Sequence, residues 1–196
     1  AIGNSLEVIE AIDTLKGNGP DDLTELCLVV GAYMLKLANK ASTIEDGKKI
    51  LQEKLTSGAA LEKMAQLIER QGGNKNVIFD YTIFPQAKYK AEIKANSEGF
   101  ISYINSEKIG IASLLSGAGR ETKESEIDLE AGIVLKKKIG DRVEKNSTLA
   151  DVYTNDPNRL KAVEETILAS IVLQSEHVKP NKLIQGIVSR EEIQKF

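Results

Sequence analysis

Ala87-Lys88-Tyr89-Lys90-Ala91-Glu92-Ile93-Lys94-Ala95 alternates small or apolar residues with charged ones over nine positions. Successive side chains of a β-strand point to opposite faces, so this period of two marks a half-buried antiparallel strand. A parallel strand buried on both faces would read as a continuous apolar run instead. Working outward, Gly99 to Asn105 reads as the next strand, and Ser106 caps a short helix carrying Ile109, Ala112 and Leu115. Beyond the glycines of Gly117-Ala118-Gly119, strands are expected around Ile127 to Ile139 and Leu149 to Thr154, joined by Gly140-Asp141. Asn155-Asp156-Pro157 starts a helix to about Ser170, and Ile171 to Gln174 closes the sheet.

Upstream the period changes to that of helices. Ser5 caps a helix through Lys16 with Val8, Ile12 and Leu15 on its apolar stripe, and Gly17 ends it. Pro20-Asp21-Asp22 opens a second helix to about Ala41, because proline suits a first turn and carboxylates favour the positive end. Ser42-Thr43-Ile44-Glu45 is a capping box for a third, stopped near Ser57-Gly58. A fourth runs from Ala60 to Gln71 and stops at Gly72-Gly73. Periodicity breaks between Asn74 and Pro85. The expected organisation is therefore residues 1–73 helical, 74–86 a linker and 87–196 an antiparallel α+β domain.

The bulk numbers exclude several classes. With 26 Lys+Arg against 29 Asp+Glu, the net charge of −3 leaves no basic excess to displace counterions from nucleic acid. No apolar run approaches the roughly 20 residues that span a bilayer. A cytoplasmic protein is expected. Cys27, the single cysteine, lies in Leu26-Cys27-Leu28-Val29-Val30 and reads as a buried, inert thiol. The only histidine, His177, reads as exposed at a strand end, so a multi-histidine zinc site is impossible.

Three stretches suggest chemistry. Gly117-Ala118-Gly119-Arg120 has the look of a phosphate loop, but it follows a helix instead of opening one, lacks G-K-[ST], and precedes Glu121, Glu124, Glu126 and Asp128. A structural turn is expected there, with Arg120 paired to one of those carboxylates. Lys136-Lys137-Lys138 reads as the solvated face of a strand, the middle lysine pointing opposite to the other two with its stem able to cover apolar surface. Gly140-Asp141-Arg142-Val143 with Leu149 has the rhythm of half a lipoyl or biotinyl carrier domain. The nearest candidate for a carrier lysine, Lys108 in Ser106-Glu107-Lys108-Ile109, falls at a helix start instead of a hairpin tip.

Taken together, Gly3 to Ala11, Leu23-Thr24-Glu25-Leu26, Pro85-Gln86-Ala87, Gly117 to Glu124 with Ile127-Asp128, and Lys138-Ile139-Gly140-Asp141 closely resemble the thymidine/pyrimidine-nucleoside phosphorylase family. The likeness runs along the whole chain but covers only about the C-terminal half of the family's length. It implies a helical segment of the large α/β domain followed by a hammerhead or barrel-sandwich-like α+β domain. It also implies a cytoplasmic, homodimeric pentosyltransferase of pyrimidine salvage that splits uridine, deoxyuridine or thymidine with phosphate. The family's catalytic and substrate-binding residues match no position here. The resemblance therefore implies that the chain needs the N-terminal half of the same enzyme and is inactive alone. One family site reaches in: a potassium ion held by backbone carbonyls and a glutamate, for which Ala1 would supply a carbonyl and Glu10 the carboxylate. With the other ligands absent, that ion is expected to be lost or weakly held. A carrier module modified at Lys108, or an interaction domain on the same fold, is the alternative.

Overall fold

The computed structural model describes residues 1–120, 122–190 and 192–196. In chain order the elements are β1 (Ile2–Gly3), α1 (Ser5–Leu15), α2 (Asp21–Leu37), α3 (Ile44–Thr56), α4 (Ala59–Arg70), β2 (Tyr89–Lys94), β3 (Gly99–Ile104), α5 (Ser106–Ser113), β4 (Gly132–Leu135), β5 (Arg142–Val143), β6 (Thr148–Thr154), α6 (Leu160–Leu168), β7 (Ile171–Gln174), β8 (Gly186–Val188) and β9 (Ile193–Lys195). The fold is α+β, and every strand pair is antiparallel. Two compact units emerge, one of residues 1–8 with 82–181, the other of residues 9–81 with 182–196.

The first unit is built on two sheets, ordered β1-β4-β6-β2 and β5-β3-β7. The alternation at 87–95 does what its period requires. Ile93 turns to the core with Ile133, Ala150 and Val152, and α5 and α6 close that face with Ile109, Ala112, Val163 and Ile167. A second cluster gathers Ala95, Ile101, Val143 and Leu149. The opening residues join this unit because β1 pairs with β4, Ile2 opposite Ile133 and Gly3 opposite Gly132. Gly132 is obligatory there: its φ is +152°, and a Cβ would lie 2.6 Å from the Ile2 carbonyl oxygen.

Several boundaries differ from expectation for local reasons. The strand expected over residues 127–139 shrinks to Gly132–Leu135. Before it, the Asp128 carboxylate accepts from the Glu130 N–H and its carbonyl from the Ala131 N–H, which forms a turn. After it, the Asp141 carboxylate accepts from the Lys138 N–H, whereas the Lys136 N–H keeps a ladder bond to the Leu149 carbonyl. The helix expected from Asn155 opens as a 3-10 turn over Pro157–Arg159. Asn105, one residue before Ser106, caps α5 through the Lys108 N–H. His177 lies beyond the end of β7, exposed and edge-on to Phe100 at 5.3 Å.

The second unit holds most of α1 with α2, α3 and α4. Gly17, at φ +82°, ends α1 in a Schellman motif, with Asn18 N–H donating to the Asp13 carbonyl and Gly17 N–H to that of Thr14. α2 stops at Leu37, short of Ala41, because Asn39 takes φ +54° and repeats that motif. Small residues decide how α2 and α3 cross: a Cβ on Gly47 would sit 2.9 Å from the Ala32 Cα, and Ala32 is fully buried. The Tyr81 phenol donates to Asp13 and accepts from Lys16 Nζ at 2.9 Å. Burial, then the bond to Asp13, raises its pKa well above the ordinary tyrosine value. Residues 74–86 are not featureless, since 3-10 turns occupy Lys75–Ile78 and Tyr81–Ile83.

Cys27 corrects the sequence expectation. It is exposed, on the rim of a 230 Å³ apolar cavity lined by Ala11, Thr14, Leu15, Leu23, Thr24 and Leu55. An apolar sequence neighbourhood does not bury a residue when its helix face lacks a cover. The same holds for Leu26, Val30, Met34 and Leu37, which are 39, 50, 64 and 83% exposed along α2. The hairpin β8-β9 was not legible in the sequence, because its strands are three residues each and largely exposed.

Candidate functional site

The stretch with the strongest claim to chemistry, Gly117 to Arg120, proves to be a turn that presents carbonyls. Residues Leu114–Ala118 form a single wide helical turn after α5, with Gly117 at φ +111°. Four donors converge on its oxygens. Thr154 Oγ1 donates to the Ser116 carbonyl at 2.8 Å, and the Asp128 N–H to that of Gly117 at 3.0 Å. Asn4 Nδ2 donates to the Ala118 carbonyl at 3.0 Å, and Arg159 Nη1 to that of Leu115 at 3.1 Å. A phosphate cradle needs the reverse polarity, with free N–H groups aimed at the anion. The turn is a fastening point where β1, β6 and α6 meet the end of α5, and it binds no phosphate through those groups.

Arg159 does the work expected of Arg120. The Arg120 side chain is exposed, and no ion pair to it occurs among the described residues; Glu121, one of its expected partners, lies outside them. Arg159 instead bridges the Leu115 carbonyl and the Asp156 carboxylate at 3.6 Å. Chain proximity favoured Arg120. An arginine following an Asp-Pro helix start was the only sequence sign for its rival.

The sequence also missed Asp151. It lies on β6 between Glu92 of β2 and Val134 of β4, on the sheet face opposite Ala150 and Val152. Only 4% of it is exposed, yet Lys90 and Lys136 reach its Oδ2 at 2.9 and 3.2 Å. Burial works to raise its pKa, but the hydrogen bonds from the two lysines prevail and hold it below the ordinary carboxylate value. The bond to Asp151 in turn raises the pKa of Lys90. Lys136 is thus one arm of a charge clamp. Cross-strand register, which no single strand reveals, brings the three together.

Of the implied ion ligands, Ala1 belongs to the first unit and Glu10 to the second. Ala1 precedes β1, and its neighbourhood is fixed by the β1–β4 pairing, by Ser113 Oγ donating to the Ile2 carbonyl at 3.1 Å, and by the Ser5 N–H on the Leu129 carbonyl. Glu10 is half-buried on α1, where its carbonyl accepts from Thr14 Oγ1 at 2.7 Å. Both residues also have other partners. Among the described residues no three His, Cys, Asp or Glu side chains gather as a metal cluster. Lys108 sits in the first turn of α5 with Nζ 3.4 Å from the Ala169 carbonyl, not at the tip of a hairpin. No described helix is long and apolar enough to cross a membrane.

Comparison with known proteins agrees with this α+β unit. Residues 100–174 match the family described as pyrimidine nucleoside phosphorylase C-terminal domain. The chain is 48% identical over 189 residues to pyrimidine-nucleoside phosphorylase of Staphylococcus aureus strain USA300, and equally to those of strains N315 and bovine RF122. In each case the match takes in 96% of this chain but only 43% of the relative. The chain thus matches a C-terminal portion of pyrimidine-nucleoside phosphorylases and spans less than half the length of these relatives.

Proposed function

We propose that the chain serves a cytoplasmic, homodimeric pentosyltransferase in which phosphate attacks C1′ of uridine, deoxyuridine or thymidine, the pyrimidine departs, and a pentose 1-phosphate remains. The observation that carries this reading is the 48% identity, which runs through 96% of the chain. This portion supplies no catalytic or substrate-binding residue and is inactive alone. Its partner is the N-terminal half of the same enzyme, whose cations and donors would meet the phosphate and the departing base on domain closure. Two features support a scaffolding role: a glycine turn whose carbonyls are engaged by donors from elsewhere in the unit, and an α2 stripe from Leu26 to Leu37 with no cover in its unit.

The test is phosphate-dependent release of uracil from uridine. The chain by itself should give none, and adding the N-terminal segment should restore it. Release by the chain alone would overturn the scaffolding role. No release from the two together would overturn the phosphorylase reading.

Potassium belongs to the same proposal. The Ala1 carbonyl and Glu10 carboxylate are hard oxygen donors of the right kind, but two oxygens fall well short of the about six to eight that a large hard cation takes. Binding by this chain is therefore weak. Replacing potassium chloride by choline chloride should leave its melting temperature unchanged, and a clear rise with potassium would refute this.

A further inference from the structure

We propose that Asn18-Gly19 is a site of spontaneous deamidation, the asparagine that, among the described residues, combines a following glycine, an exposed side chain and an attacking N–H without a hydrogen bond. In this reaction the Gly19 backbone nitrogen loses its proton to water or hydroxide and attacks Asn18 Cγ. The bond from Cγ to the side-chain nitrogen breaks and ammonia leaves. Water then opens the cyclic imide at either carbonyl, giving aspartate or isoaspartate. No oxidant or reductant is involved.

Three conditions favour attack, and they meet at this turn. The following residue must be small, and Asn18 is the only asparagine that precedes glycine. The amide side chain must be open, and Asn18 is exposed. The attacking N–H must not be tied up, and among the described residues neither the Gly19 N–H nor the Asn18 side chain has a hydrogen-bond partner.

Three other asparagines fail on the last condition. The N–H after Asn4 is bound to the Leu129 carbonyl, that after Asn39 to Leu35, and that after Asn146 to Glu144. The Asn4 side chain is itself spent on the Ala118 carbonyl. Folding thus protects these three and leaves Asn18 open.

The product also bears on the helices. Gly19 is wedged so tightly that an added Cβ would lie 2.1 Å from Thr14 Oγ1, so the longer backbone of isoaspartate just before it has no slack to use. The new carboxylate lies just beyond the C-terminal end of α1, where negative charge is unfavourable.

The test is incubation of the folded chain at neutral to mildly alkaline pH, followed by trypsin and mass analysis. In the Gly17–Lys36 peptide, Asn18 is the sole asparagine. That peptide should acquire the acid-for-amide mass increment, and the intact chain one negative charge beyond −3, before the peptides holding Asn4, Asn39 or Asn146 change. In denaturant those three should lose their protection. Asn18→Gln, at an exposed position, should fold normally and abolish the early charge shift. An unmodified Gly17–Lys36 peptide, or conversion no faster than at Asn4 and Asn146 in the folded chain, would overturn the proposal.

Discussion

Replacing Thr154 by valine tests whether the glycine turn is a fastening point. Thr154 is 1% exposed, and its hydroxyl donates at 2.8 Å to the carbonyl of Ser116, which is fully buried. The same oxygen accepts from the Asp156 N–H at 3.2 Å. Valine has nearly the same shape, so it opens no cavity, and the change isolates the polar term. A buried carbonyl left without its donor costs about 1–3 kcal/mol. The added methyl returns about 0.8 kcal/mol at most. Asp156 is only half-buried, so water partly replaces the lost acceptor. The net expectation is a loss of about 2 kcal/mol once both groups are counted. Urea denaturation should show it as a lower midpoint at unchanged slope. Thr166, a half-buried helical threonine whose hydroxyl donates to the Ala162 carbonyl in a solvent-exposed bond, is the control. Its valine variant should stay within about 0.5 kcal/mol of the parent. If Thr154→Val did the same, the convergence of donors on the turn would be geometry without energetic weight.

Arg159→Ala should cost about 1 kcal/mol by freeing the Leu115 carbonyl, while Arg120→Ala should be neutral in the same titration; the opposite order would return the turn to Arg120. Asp151 has a folded pKa below its unfolded one, so its stabilisation is present above about pH 4 and is lost as pH falls through the folded value. Asp151→Asn should flatten that acid limb and cost about 1–2 kcal/mol at neutral pH, the half-exposed lysines screening the rest; an unchanged acid limb would refute the clamp. Gly132→Ala forces a side chain into φ +152° and against the Ile2 carbonyl, and should cost about 1–3 kcal/mol or more. Amide exchange at Ser5, whose N–H bonds the Leu129 carbonyl, should accelerate with it, and protection unchanged there would show that β1 docks without Gly132's close approach.

Much of the local architecture was legible because local forces set it. The period of two at 87–95 produced an edge strand with Ile93 inward, and the four helices fall within a few residues of their caps and glycines. Where boundaries moved, a competing side-chain hydrogen bond moved them: Asp128 and Asp141 at the two ends of β4, and Asn105 at the start of α5. The candidate site was less legible. Arg120 and the carboxylates after it are neighbours in sequence, whereas Arg159 reaches the turn across 44 residues.

The sequence by itself determined the four N-terminal helices, the core strands of the α+β unit, their antiparallel character and the family resemblance, since periodicity, capping and motif spacing are properties of short segments read in order. Only the tertiary structure decided which groups meet. The clamp of Lys90, Asp151 and Lys136 exists because three strands align in one register. The polarity of the glycine turn depends on donors from residues 4, 128, 154 and 159. The exposure of Cys27 follows from a helix face that its own unit leaves uncovered. Burial and partnership depend on what arrives from elsewhere in the chain, and a segment does not encode its neighbours.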